Sequence, residues 1–352
     1  MTDNVYEQLA SALDRLPNGF SRTRSRVEIA MLKRLMSEEE ADLASKLGRR
    51  FESCDEIAER LGFSREDTGL RLKAMAERGI LRSLEREGRV WYRLQPFVVG
   101  IYEALALDMM DHNFAHLFEE WLAEGGARGF MGPLPAIHRV LPAYGTVKKE
   151  WILPYDDVKA VLEAQKTFSV QRCVCRVQQD FIGRKCSFPL DICVSFTTRE
   201  RPPRPGDISK EEALALLDRA EELGLVHTVS NVMKGLGYVC NCCGCCCGIL
   251  RGATEFGVEG SVARASYFSE VDQAACSGCG LCRERCQVKA ISLDSGVAAV
   301  DRGRCIGCGL CVSRCPTGAA KLVRKPEVEI VVPPVDSVAW EEERLRNRGL
   351  QG

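Results

Sequence analysis

No stretch of about 18 apolar residues runs through the 352-residue chain, and its first residues, MTDNVYEQL, contain neither a basic nor an apolar leader segment. These absences argue against a membrane span and set the expectation of a soluble, cytoplasmic protein with no membrane partner. An excess of charge is also lacking. Lys and Arg number 48 against 49 Asp and Glu, a net charge of -1, which gives no global attraction to nucleic acid or to anionic lipid. No nucleophile-base constellation, pair of catalytic carboxylates or phosphate loop stands out, so the sequence nominates no catalytic residue for an organic substrate. GGARGFMGPLP has suggestive glycines but not the strand-to-helix setting of a dinucleotide fingerprint. Cysteine is missing from the first 172 residues except at Cys54, which reads as a small buried hydrophobe.

Beyond that point cysteine dominates. The chain has 19, ten of them between Cys173 and Cys247 and eight between Cys276 and Cys315. The run CNCCGCCC packs six thiols into eight residues. Disulfides require backbones several ångströms apart, which such a run cannot offer itself, so clusters or metals in a reducing compartment are the better reading.

The last eight fall in two runs of CxxCxxCxxxC: Cys276, Cys279, Cys282 and Cys286, then Cys305, Cys308, Cys311 and Cys315, with Pro316 following. Three cysteines on one tight loop grip three irons of a cubane face, and the fourth iron is held from elsewhere. The pattern resembles the bacterial two-cluster ferredoxins, in which the fourth cysteine of each run serves the other cluster. That resemblance implies two low-potential [4Fe-4S] clusters, one on Cys276, Cys279, Cys282 and Cys315 and the other on Cys305, Cys308, Cys311 and Cys286. The family's proline after the fourth cysteine is Gln287 in the first run. Two four-cysteine runs with a CP step exceed what tetrahedral zinc needs.

In the middle region Cys173, Cys175, Cys186, Cys240, Cys242, Cys243, Cys245, Cys246 and Cys247 are the expected soft ligands of one or two further iron-sulfur clusters, with no assignment of cysteine to cluster. A zinc site or a noncubane cluster is the alternative. Cys193, in the strand-like DICVSF, is evenly balanced between ligand and core residue. Arg172, Arg176 and Arg251 flank these runs, where they would offset cluster charge.

The expected architecture is multidomain α+β: a helical, winged-helix-like domain over 1–95, a linking helix and loop over 96–139, a cysteine-rich α+β domain over 140–265, a ferredoxin-like (βαβ)2 dicluster domain over 266–325 and an extended tail over 326–352. The head rests on three capped helix starts, at Ser37, Ser53 and Ser64, followed by a hairpin at ILRSLEREGRVWYRL. Residues 64 to 94 hold eight basic and five acidic side chains. Glu66 and Asp67 lie at the helix end that would meet DNA, so protein docking or dimerisation is preferred over DNA binding. His112 and His116, spaced i, i+4, read as ordinary helix-surface residues. The layout as a whole resembles multidomain 4Fe-4S ferredoxin-like proteins of anaerobes. The function expected is electron relay to a protein redox partner, as a component of an oxidoreductase system more than a stand-alone enzyme. A redox- or oxygen-sensing winged-helix regulator is the second reading.

Overall fold

Each serine marked as a cap starts a helix. In a computed structural model, which describes residues 2–105, 109–153, 155–294 and 296–350, Ser37, Ser53 and Ser64 precede helices Glu38–Ser45, Cys54–Leu61 and Arg65–Glu77. Ser37 and Ser53 form full capping boxes with Glu40 and Glu56. Strands Leu81–Arg86 and Arg89–Leu94 pair as a hairpin, and Glu52–Ser53 adds to its second strand. The basic residues of helix Arg65–Glu77 have acidic neighbours: Arg65 pairs with Asp55, Arg71 with Asp67 at 3.0 Å and Lys73 with Glu77 at 4.0 Å.

The chain divides into two compact units, one made of Met1–Pro133, Phe181–Gly183 and Arg344–Gly352, the other of Leu134–Asp180 and Arg184–Glu343. In the first unit the helix expected from Pro96 to Glu124 is broken. Asp111 caps a fresh helix, His112–Trp121, by accepting a hydrogen bond from the Phe114 N–H at 2.8 Å. Phe20, Phe97, Phe118, Trp121 and Phe130 fill the space this creates, with ring centroids 4.6 to 6.4 Å apart. From the far end of the chain, Arg344 is fully buried and donates to the carbonyl of Pro17 at 2.9 Å, and to those of Phe130 and Pro133.

The second unit is built on a seven-stranded sheet in the order Val262–Ala263, His138–Leu141, Val226–Ser230, Tyr238–Cys242, Asp191–Thr197, Thr167–Arg172, Asp207–Ile208. Only the first pair is parallel. Helix Lys210–Leu223, capped by Ser209 with Glu212 and stopped at Gly224, lays Ala213 and Leu217 on a core with Phe168, Val194, Phe196 and Val239. Sequence composition makes all of GLGYVCNCCGCCCGILRG a loop, but Tyr238–Cys242 is a strand in mid-sheet. Cross-strand pairing with Val226–Ser230 overrides the local signal, and the loop proper begins at Cys243.

At the C-terminal end of this unit, Tyr267–Val271 pairs antiparallel with Ala320–Arg324, and Ile291–Asp294 with Val297–Val300. Among the described residues no helix is long and apolar enough to cross a membrane.

Candidate iron-sulfur and metal centres

Cys276, Cys279, Cys282 and Cys315 line one cavity, together with Val271, Leu293 and Pro316. Two of its cysteines receive backbone N–H groups, from Ala298 to Cys276 at 3.4 Å and from Ala320 to Cys315 at 3.4 Å. Burial pushes the Cys315 thiol up, yet hydrogen bonds from Ala320 and the Thr317 hydroxyl outweigh it, so its acidity ends above that of a free thiol. Cys279 is exposed. This group faces solvent.

The other C-terminal group is more enclosed. Cys305 and Cys311 are each only 9% exposed. Burial pushes up the Cys308 thiol, and the neighbouring Cys311, Cys286 and Cys305 push it further. The Cys311 thiol rises to about 11 for the same first reason, with Cys305, Cys286 and Cys282 adding to it. Backbone N–H groups reach Cys286 from Ala290 at 3.1 Å and Cys305 from Ser269 at 3.5 Å. Gly307 has φ +74, and a Cβ there would lie 2.3 Å from the Tyr267 carbonyl oxygen, so the loop can wrap this closely only without a side chain. Soft, partly desolvated sulfurs met by N–H donors are what a thiolate-held iron-sulfur cluster requires. The donor set fits that cofactor.

In the middle region six thiols close a ring. Each of Cys173, Cys175, Cys247, Cys242, Cys240 and Cys193 has two sulfur neighbours in that order, close enough to shift its proton affinity, and Cys193 returns to Cys173. Cys175 lies in the first turn of helix Val174–Phe181, and Cys247 directly precedes helix Gly248–Thr254. Cys240 and Cys242 project from one face of their strand, because residues two apart do so. Cys193, which the sequence left evenly balanced, is thus a member of the ring. Its signal was the strand next to Tyr238–Cys242, invisible without the pairing Val194 with Val239.

The remaining four form a tighter group. The sulfurs of Cys186, Cys243, Cys245 and Cys246 all lie within 4.8 Å of one another, the only such set of His, Cys, Asp or Glu ligand atoms among the described residues. Cys245 and Cys246 are 3.7 Å apart. Cys243 pushes the Cys245 thiol up to about 12, while Cys245 and Cys246 hold Cys243 far below the ordinary thiol range. Clustered thiols of this kind cannot all ionise without a cation among them.

Of the three flanking arginines, one reaches the thiols. Arg176 is 2% exposed and donates to the carbonyls of Pro189 and Asn241, both at 2.8 Å. Its charge stands beside Cys173 of the ring and Cys243 of the tight group, and its buried Nε has no hydrogen-bond partner. A buried guanidinium beside thiols of both groups fits a bound, negatively charged thiolate centre. Arg251 instead bonds Glu255 at 2.8 Å, and Arg172 lies 4.0 Å from Asp191.

Gln287, where the two-cluster ferredoxins have proline, joins the two regions. Its side chain accepts from the Gly244 N–H at 2.8 Å and donates to the Gly224 carbonyl at 2.8 Å. Arg285 adds donors to the carbonyls of Glu221 and Glu222, the end of helix Lys210–Leu223, at 2.5 and 2.9 Å. The departure from the family pattern is therefore a docking contact.

Behind the ring, Cys242 lies 3.4 Å from the Thr228 hydroxyl, Thr228 3.5 Å from His138 Nδ1, and His138 Nε2 2.8 Å from the Tyr238 hydroxyl. Burial lowers the His138 pKa to about 4. Between about pH 6.5 and 4 the unfolded chain therefore binds a proton there that the native chain does not, so stability falls as the pH drops through that window. Replacing His138 with Gln removes roughly 2 kcal/mol of the fall between pH 7 and pH 5, which urea titrations of both proteins at those two pH values measure. An unchanged pH dependence refutes the assignment. His112 and His116 have ring centroids 4.4 Å apart, and no third metal-ligand group closes on them among the described residues.

Residues 269–322 match the family model of the 4Fe-4S dicluster domain. The C-terminal part of the chain is thus ferredoxin-like and of the two-cluster class. No curated protein and no solved structure matches the chain.

Proposed function

We propose that the chain is an iron-sulfur electron-transfer protein or subunit that relays single low-potential electrons between a protein redox partner and its own middle domain. Iron-sulfur chemistry itself follows from the matched domain and the cysteine groups. The observation that carries the relay is the Gly244–Gln287 contact, which sets the turn between Cys242 and Cys247, both members of the six-thiol ring, against the residue after Cys286. Electron tunnelling falls steeply with distance, so a direct backbone contact between two sulfur-ligand loops favours passage between them.

In this reading Cys276, Cys279, Cys282 and Cys315 hold the cluster nearer solvent, and the exposed Cys279 marks where a partner approaches. Cys305, Cys308, Cys311 and Cys286 hold the inner one. A further cluster uses the six-thiol ring, Cys193 included. Each cluster supplies one-electron chemistry, and the protein tunes it through N–H donors to sulfur and through exclusion of water. Cytoplasmic placement and an anaerobic setting accord with unpaired thiols at such density.

Iron counts on the anaerobically purified full chain test this. The wild type should carry clearly more than about eight irons, the content of two cubanes, and Cys193→Ala should fall to about eight while keeping the reduced-cubane EPR signals. Equal iron in both proteins removes the ring cluster, and clusters that no low-potential donor reduces would sink the relay.

We read residues 38–94 as a winged-helix arrangement, three helices followed by a hairpin, which keeps the redox-sensing regulator as a second reading. The acids beside Arg65, Arg71 and Lys73 favour docking to protein over DNA. DNA binding that weakens steeply with salt and changes on oxidation reverses that order.

A further inference from the structure

We propose that Cys186, Cys243, Cys245 and Cys246 form a separate mononuclear site that takes a single zinc ion, not a cubane. Size separates the two. Four thiolates on a tetrahedral ion with metal-sulfur bonds of about 2.3 Å lie about 3.8 Å apart along each edge. A [4Fe-4S] core has its irons between the ligands, which spreads the cysteine sulfurs to roughly 6 Å. Here all four sulfurs fall within 4.8 Å, and Cys245 and Cys246 are 3.7 Å apart.

The rest of the molecule provides the comparison. Among the described residues, the eight cysteines of the dicluster domain form no group so tight, although four of them line one cavity. The six-thiol ring forms none either, since its members adjoin in order round the ring without three of them closing together. One of the four thiol groups has the girth of one ion; the others are wider.

The ligands come from a short loop and one distant position, the arrangement of a structural site. Cys243, Cys245 and Cys246 surround Gly244, and Cys186 follows helix Val174–Phe181. Cys243 and Cys246 are each 1% exposed, Cys245 is exposed and Cys186 half-buried. A d10 ion accepts four thiolates at this geometry without redox change. Held there, it fixes the loop that meets Gln287, whichever way the relay is resolved.

Metal analysis and zinc K-edge absorption on the full chain, wild type and Cys245→Ser, decide it. The expected result is one zinc per chain in a shell of four sulfurs, with no metal neighbour, lost from Cys245→Ser while the iron content stays unchanged. Cys245 is the exposed ligand, so its replacement is the least disruptive to folding; if that variant fails to fold, the wild-type zinc shell alone decides between one ion and a cubane. Zinc absent from the wild type, zinc with fewer than four sulfurs, or loss of about four irons from Cys245→Ser overturns the proposal. Wild-type protein with zinc but no iron leaves this site standing and sinks the relay, so the two failures are distinguishable.

Discussion

Replacing Gly244 with Ala should undock the CNCCGCCC loop from the dicluster domain. A Cβ at this position would lie 1.9 Å from the Gln287 carbonyl oxygen and 2.9 Å from its carbon, and both are backbone atoms. No flexible side chain is available to move aside, so the loop itself must shift and the Gly244 N–H loses its bond to Gln287. Overpacking of this kind costs about 1–3 kcal/mol, and the broken hydrogen bond adds about 1 kcal/mol. Guanidinium melts give the loss of stability. Rapid-mixing reduction should show the C-terminal clusters filling as before and the middle-domain absorbance following at least tenfold more slowly. Gln287→Ala is the control, because it removes the bond without the clash and should give the smaller part of both effects. Wild-type behaviour of Gly244→Ala refutes the contact.

Arg176→Met should shift the potential of the cluster proposed on the six-thiol ring downward and destabilise the fold. The guanidinium is almost wholly buried, satisfies the carbonyls of Pro189 and Asn241, and sits over the Phe188 ring at 5.6 Å. Two acceptors left unpaired cost about 1–3 kcal/mol each. A cation beside Cys173 of the ring favours the electron-rich state of a thiolate-held cluster. At an effective dielectric constant of about 20 and a separation of several ångströms, its loss is worth a negative shift on the order of 100 mV. An EPR-monitored redox titration reads the shift. Arg176→Lys separates the two contributions, since it keeps the charge and gives up the paired donors: a near-normal potential with reduced stability is expected. A potential unmoved in Arg176→Met would show that the arginine serves packing alone.

The parts of this protein that were legible in the sequence are those whose ligands and caps are local. A CxxCxxC loop contains its own geometry, because three sulfurs within seven residues can only point into one cavity once glycines let the backbone curl. Capping boxes at Ser37, Ser53 and Ser209 are equally self-contained, each being a serine and a glutamate three residues apart. The break in the helix after Pro96 was less legible, because Asp111 had to compete as a cap with a continuous apolar pattern.

The ten middle thiols are the opposite case. Sequence marked them as candidate ligands of a soft metal or cluster, since six thiols in eight residues have no place in an ordinary core. How they divide was decided by the sheet. Pairing of Tyr238–Cys242 with Asp191–Thr197 and Val226–Ser230 turns Cys240 and Cys242 toward Cys193, while Cys243, Cys245 and Cys246, past the end of the strand, gather with Cys186. Adjacent cysteines in one run thereby fall in different thiol groups. Gln287 shows the same limit: its departure from proline was plain in the sequence, but its partner Gly244 lies 43 residues away. Spacing along the chain determines a site only when the chain closes it locally; a site assembled from separate strands and loops depends on register, which long-range pairing alone sets.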